Sequence, residues 1–189
     1  ELTVDGRKVE QLSGNIRGEK LTFMKTAQLD QLELRTVIDI TPERINISTQ
    51  WEALGDQPVS VFYLFQYCWS EKTTDWAAFM GNGTMASGIF RSDEGWHLNG
   101  PLNTLWFGIY NRTEQKGIAC LLDEIAAANG RCRFWDRANY HKLYYQPIVP
   151  ATIKAGEKSP FYSLTIRGFA ADQDNWRKKT AESIEELKK

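Results

Sequence analysis

The sequence predicts an all-β protein, an antiparallel β-sandwich of supersandwich-like layout closed by one C-terminal α-helix. Three observations carry that expectation. Runs of residues alternate apolar and polar with a period of two, as strands do when one face meets a core and the other meets water. These short runs recur at spacings of roughly 8–12 residues, between links rich in Gly, Asn and Asp, as in a sandwich. Near the end the period changes to the three-and-four spacing of an amphipathic helix. At 189 residues the chain is read as a single domain spanning 1–189.

The first clear pair of strands lies between Leu32 and Trp51. Leu32, Leu34, Ile38 and Ile40 alternate with Gln31, Glu33, Arg35 and Asp39. Ile45, Ile47, Thr49 and Trp51 alternate with Arg44, Asn46, Ser48 and Gln50. Thr41-Pro42-Glu43 between them is a turn, because proline presets its own φ. One wet face argues for an antiparallel hairpin, since parallel strands are covered on both sides. Val59 to Trp69 is apolar on both faces and reads as a central strand. Further strands are expected at 84–90, 105–110, 117–123, 143–145 and 162–169. Asp172 or Asp174 can cap a final helix over about 172–188, its carboxylate accepting free backbone N–H groups. Trp176, Thr180, Ile184 and Leu187 would form its buried stripe.

Lys plus Arg number 23 against 24 Asp plus Glu, a formal net charge of −1. That balance argues against a dedicated binder of nucleic acid or anionic membrane, which needs a clustered positive field. No apolar run approaches the roughly 20 residues of a membrane span. The opening Glu-Leu-Thr-Val lacks the basic start and apolar stretch of a secretory signal, which is expected to be absent or already removed. The three cysteines, Cys68, Cys120 and Cys132, have no metal-ligand spacing. Cys120 and Cys132 could form a bridge or stay as small hydrophobes.

No phosphate-binding glycine loop, His-Glu-x-x-His or Gly-x-Ser-x-Gly occurs. A zinc site of two histidines and a carboxylate would need His97 and His141 together, and no spacing suggests it. No metal and no cofactor is therefore expected. The positive signal is aromatic, with seven Trp, seven Tyr and nine Phe. Several Trp stand beside polar turn residues. An indole offers a flat apolar face to the C–H side of a sugar ring, while neighbouring Asn, Arg and His can bond hydroxyls. Trp96, Asn99, Asn103, Trp106, Trp135, Arg137 and His141 are the candidate contacts for a glycan held on a concave, aromatic-lined face. In Trp106-Phe107-Gly108-Ile109-Tyr110, glycine between same-face aromatics leaves a notch, either a groove floor or room for a neighbouring element. Arg131 to Tyr145 interleaves Arg with Trp, Tyr and His, a set that could hold an acidic sugar. An enzyme on the same scaffold would draw on His141, Tyr144 or Glu124. A third reading is a structural or protein-interaction domain whose aromatics are core.

Four segments carry a family likeness: Ile45-Asn46-Ile47-Ser48-Thr49-Gln50-Trp51, Val61-Phe62-Tyr63-Leu64-Phe65, Thr74-Asp75-Trp76-Ala77-Ala78, and Ile153-Lys154-Ala155-Gly156-Glu157 leading into Phe161–Phe169. Their layout resembles the galactose-mutarotase-like β-supersandwich group, which includes sugar epimerases and domains of glycosidases and polysaccharide lyases. The resemblance implies a sugar ligand. A sugar ligand in turn suggests a periplasmic or extracellular setting.

Overall fold

The computed structural model describes residues 1–10, 15–98, 102–147 and 151–189. Asn99, one of the candidate contacts, lies outside the described residues. The strands begin with β1 (Leu2–Val4), β2 (Arg7–Lys8), β3 (Leu21–Leu29), β4 (Leu32–Ile40), β5 (Ile45–Ala53), β6 (Gln57–Val59), β7 (Phe65–Ser70) and β8 (Asp75–Met80). Next come β9 (Met85–Ile89), β10 (Trp96–His97), β11 (Thr104–Asn111), β12 (Lys116–Leu122) and helix α1 (Glu124–Asn129). The chain continues through β13 (Arg131–Asp136), β14 (Tyr140–Gln146), β15 (Ala151–Ile153) and β16 (Tyr162–Ala170) to helix α2 (Trp176–Leu187). Among the described residues, ten strands form one sheet in the order β2-β1-β3-β4-β5-β16-β12-β11-β8-β9. Four form a second in the order β10-β13-β14-β7, and β15 pairs with β6. Every pairing is antiparallel. The all-β sandwich with a C-terminal helix is thus the observed fold class.

The β4–β5 hairpin forms as its alternation requires, with Ile40 opposite Ile45. Thr41 closes the turn, its N–H donating to Arg44 O at 2.9 Å and its hydroxyl accepting from Arg44 N at 3.3 Å. Val59 to Trp69 departs from expectation. It is two strands in different sheets: β6 pairs with β15, and β7 is an edge strand of the four-stranded sheet. Val61 between them is 52% exposed, so the apolar run crosses from one layer to the other. Leu21 to Leu29 and Arg131 to Asp136 are strands that the alternation did not reveal.

The main core lies between the two sheets. Phe107, Ile109, Cys120 and Leu122 of the large sheet meet Phe65, Phe134, Leu143 and Tyr145 of the small one. Phe134 is central, its ring 5.6 Å from Phe107 and 5.6 Å from Trp76, both near edge-on. That offset geometry suits the quadrupoles of paired rings. All three cysteines are free, with Cys120 and Cys132 buried in the core.

Helix α2 covers the opposite face of the large sheet as a third layer. Its stripe is buried as the spacing predicts, at Trp176, Thr180, Ile184 and Leu187. Trp176 stacks on Tyr110 at 5.2 Å and 3°. Gly108 lies directly under the helix, where a Cβ would come within 2.5 Å of Thr180 Cγ2. The glycine notch is therefore room for a neighbouring element, filled from within the chain. The helix starts at Trp176 without a side-chain cap. Asp172 instead accepts from Asp174 N and Asn175 N at 3.0 and 2.9 Å, ordering the turn ahead of it.

Asp75, buried on β8, receives a two-pronged hold from Arg112, with Nε and Nη2 each 2.6 Å from a carboxylate oxygen. Thr74 Oγ1 donates to it as well, at 2.7 Å. Removing the charge leaves those donors underused, so Asp75→Asn is expected to lower unfolding stability by about 1–3 kcal/mol. A urea midpoint that does not fall would mean that solvent already screens the pair, since the arginine is half exposed.

Candidate functional site

Alternation along the small sheet separates two sets of side chains. On β13, Cys132, Phe134 and Asp136 face the core, while Arg131, Arg133 and Trp135 face out. On β14, His141, Leu143 and Tyr145 are buried, and Tyr140, Lys142 and Tyr144 face out. Pairing then builds the outer surface. Trp96 lies opposite Trp135, Trp135 opposite Lys142, and Arg133 opposite Tyr144. Gln66, Cys68 and Ser70 of β7 complete it.

The rings on this surface touch. Trp96 and Trp135 are 4.6 Å apart at 61°, and Tyr144 is 5.4 Å from Trp96. Tyr63, from the loop before β7, adds a ring 4.7 Å from Tyr144. Cations sit over these rings: Arg133 is 4.5 Å above Trp96, Lys142 4.6 Å above Tyr144 and Arg137 5.9 Å above Trp135. Such contacts stabilise a cation only modestly at an exposed site. Trp96 remains 39% exposed. The result is a patch of indole and phenol rings bordered by donors, one of which, Arg137, is paired with the exposed Glu94 carboxylate at 3.4 Å.

Beneath it, Asp136 forms a buried clasp. Its carboxylate accepts from Arg91 N at 2.6 Å and Ser92 N at 3.0 Å. His97 Nε2 lies 2.9 Å away on one side and His141 Nδ1 2.8 Å away on the other. The His141 contact is close but off the hydrogen-bonding axis, and the ring packs flat on Phe90 at 4.1 Å. Burial alone would raise the Asp136 carboxyl, but the Arg91 amide, His97, His141 and the Ser92 amide together hold it below its usual value. It is therefore ionised near neutrality, and His97 Nε2 donates to it. Asp93, His97 and Asp136 also place ligand-type atoms within 4.8 Å of one another. Both Asp136 oxygens are already engaged by these donors, so the geometry is that of a clasp holding the 90–97 loop to β13 and β14.

Of the expected contacts, Trp96, Trp135 and Arg137 are brought together on the outer surface. Trp106 is not with them: it is buried in the third layer, stacked on Phe79 at 5.6 Å. A cleft of about 530 Å³ opens beside it, lined by Phe79, Leu105, Leu121 and Glu124 among others. Asn103 donates to Ala128 O at 2.6 Å, tying down the end of α1. His141 faces inward on the clasp, because it sits one residue out of phase with Tyr140 and Lys142. Asp123 caps α1 by accepting from Ala126 N at 2.7 Å. Tyr144 does reach the outer surface. Sequence reasoning placed Arg133 in the Arg131–Tyr145 set that could hold an acidic sugar, but it missed Lys142 and Tyr63.

No protein-family model matches the chain, and no curated protein matches it by sequence. Solved structures do match. A GH36 α-galactosidase from Geobacillus stearothermophilus, in complex with stachyose, aligns with TM-score 0.60 and 8% identity over 91% of this chain and 27% of that one. An aldose 1-epimerase candidate from Escherichia coli aligns with TM-score 0.46 and 9% identity, over 84% and 68%. A galactose mutarotase-like protein from Clostridium acetobutylicum aligns with TM-score 0.39 and 8% identity, over 80% and 62%. The mutarotase-like kind named from the sequence is thus among the neighbours. At such identities the similarity speaks to fold alone, and the chain spans about a quarter of the α-galactosidase. Among the described residues no helix is long and apolar enough to cross a membrane.

Proposed function

We propose that this chain is a carbohydrate-binding β-sandwich module that holds a glycan on the outer face of its four-stranded sheet. Trp96 and Trp135 would lie against the C–H faces of sugar rings, with Tyr144 and Tyr63 extending the platform and Arg137 bonding hydroxyls at its rim. The observation that carries this reading is the exposed Trp96 indole set against Trp135, ringed by side-chain donors. A few placed polar groups on an apolar floor give orientation, while the rings supply contact area. The fold likeness to part of an α-galactosidase solved with an oligosaccharide supports the same direction. Binding is favoured over catalysis because the outward strand positions carry neither a carboxylate nor an imidazole among the described residues, Glu94 at the rim is paired with Arg137, and glycoside chemistry needs both an acid and a base. This role fits a periplasmic or extracellular setting.

Tryptophan fluorescence and calorimetry with a panel of neutral and acidic oligosaccharides test the proposal. At least one should bind, and Trp96→Ala and Trp135→Ala should each weaken it by about tenfold, about 1.4 kcal/mol. Binding that survives both substitutions, or no binding across the panel, removes the proposal.

A further inference from the structure

Resting on the carbohydrate-binding reading, we propose that the glycan is acidic, bearing carboxylates or sulfate esters that dock on Arg133 and Lys142. Several cations elsewhere have carboxylate partners: Arg112 pairs with Asp75, Arg167 with Glu186 and Lys154 with Asp56. The outer strand positions differ. Arg133 and Lys142 share them with no Asp or Glu at an outward strand position among the described residues, although the whole chain is one charge negative. Lys142 forms no ion pair among the described residues, and its ammonium rests over Tyr144.

Arg133 is the more telling group. Its Nε is buried without a hydrogen-bond partner, and its side-chain hydrogen bond among the described residues, Nη1 to Tyr63 Oη, is long at 3.4 Å. A partly buried guanidinium with a spare donor is costly unless something accepts from it. Its planar fork suits a carboxylate or sulfate edge. Placement adds the second half of the argument. Arg133 faces Tyr144 and Trp135 faces Lys142, so rings and cations alternate like a checkerboard over two strands. A sugar ring resting on either aromatic has a cation on the adjoining square, where an exocyclic acid would project. A long nucleic-acid backbone would instead ask for an extended track of cations.

The test is calorimetric titration of the full chain with four probes at 50 and 300 mM NaCl. They are an oligogalacturonate, its methyl ester, a sulfated oligosaccharide and a neutral galacto-oligosaccharide, with a single-stranded oligonucleotide of equal charge as competitor. At least one acidic glycan should bind about tenfold more tightly than the neutral one at low salt, and that margin should shrink at high salt as charges are screened. The methyl ester separates carboxylate from sulfate recognition: esterification should abolish the margin if the carboxylate is read, while the sulfated probe keeps it if sulfate is read. Arg133→Gln and Lys142→Gln should each weaken acidic-glycan binding about fivefold and flatten its salt dependence, with unchanged thermal midpoints. Lys142→Gln carries the test if Arg133→Gln does not fold. Neutral binding equal to or tighter than acidic binding overturns the inference and leaves the carbohydrate reading standing. If no glycan binds, both fall. Tighter binding of the oligonucleotide assigns the surface to nucleic acid and also overturns both.

Discussion

Asp136→Ala is expected to lower unfolding stability by about 3–5 kcal/mol, the range seen when one partner of a buried charged contact is removed. The carboxylate is fully buried and gathers two backbone amides and His97, with His141 in contact. Ser92 and Glu94 in the loop it holds have φ of 58° and 57°, conformations that a side chain adopts at a cost. Without the clasp that loop has little reason to stay, and β10 carries Trp96 with it. The same variant should therefore also weaken glycan binding. Asp136→Asn tests the charge itself. The folded carboxyl titrates below its usual value, so its contribution is complete above about pH 4, the ordinary range. It is lost as pH falls from there through the folded value. Chemical denaturation between pH 3 and 7 should show the wild type losing stability at the acid end and Asp136→Asn losing less. Parallel curves would mean that this carboxyl contributes no linkage.

The second large effect concerns the third layer. Trp176→Ala should cost about 3–5 kcal/mol, as expected for deleting a buried aromatic. The ring is 1% exposed and stacks on Tyr110, whose hydroxyl donates to Ala171 O at 2.7 Å just before the helix. Gly108→Leu attacks the same contact from the sheet side, since even a Cβ there collides with Thr180. Both variants should raise amide exchange across 176–187. Exchange that stays at wild-type levels in either would show that the helix docks by other means. Glycan binding should persist wherever the sandwich stays folded, because helix and outer face lie on opposite sides of the molecule.

How much of this was readable depended on whether hydropathy followed geometry. Leu32 to Trp51 was legible because most of its buried side chains, Leu32, Ile47 and Trp51 among them, are apolar and most of its wet ones polar, with buried Thr49 and exposed Ile40 as exceptions. The helix stripe was legible because one face of α2 alone is covered. Arg131 to Asp136 was opaque for the opposite reason. Its outward set contains a tryptophan and its inward set an aspartate, so the binary pattern blurs although the alternation is intact. Val59 to Trp69 is apolar on both faces through the point where the chain changes layers, and nothing local marks that crossing. His97 and His141, which no spacing linked, meet only because β10, β13 and β14 are neighbours. Trp106 and Trp135 look alike in sequence, and only the position of α2 makes one core and leaves the other at the surface.

Cys68 gives the outer face a chemical handle of its own. It lies opposite Lys142 and is exposed, whereas burial pushes the Cys132 thiol up to about 12 and raises the Cys120 thiol as well. Only a thiolate attacks a maleimide, so a brief treatment of the native protein marks one site. An environment-sensitive dye placed there would sit at the margin of the ring-and-cation patch. Its emission would report occupancy of that patch without any engineered residue, and the two sealed thiols would remain silent until the sandwich opened.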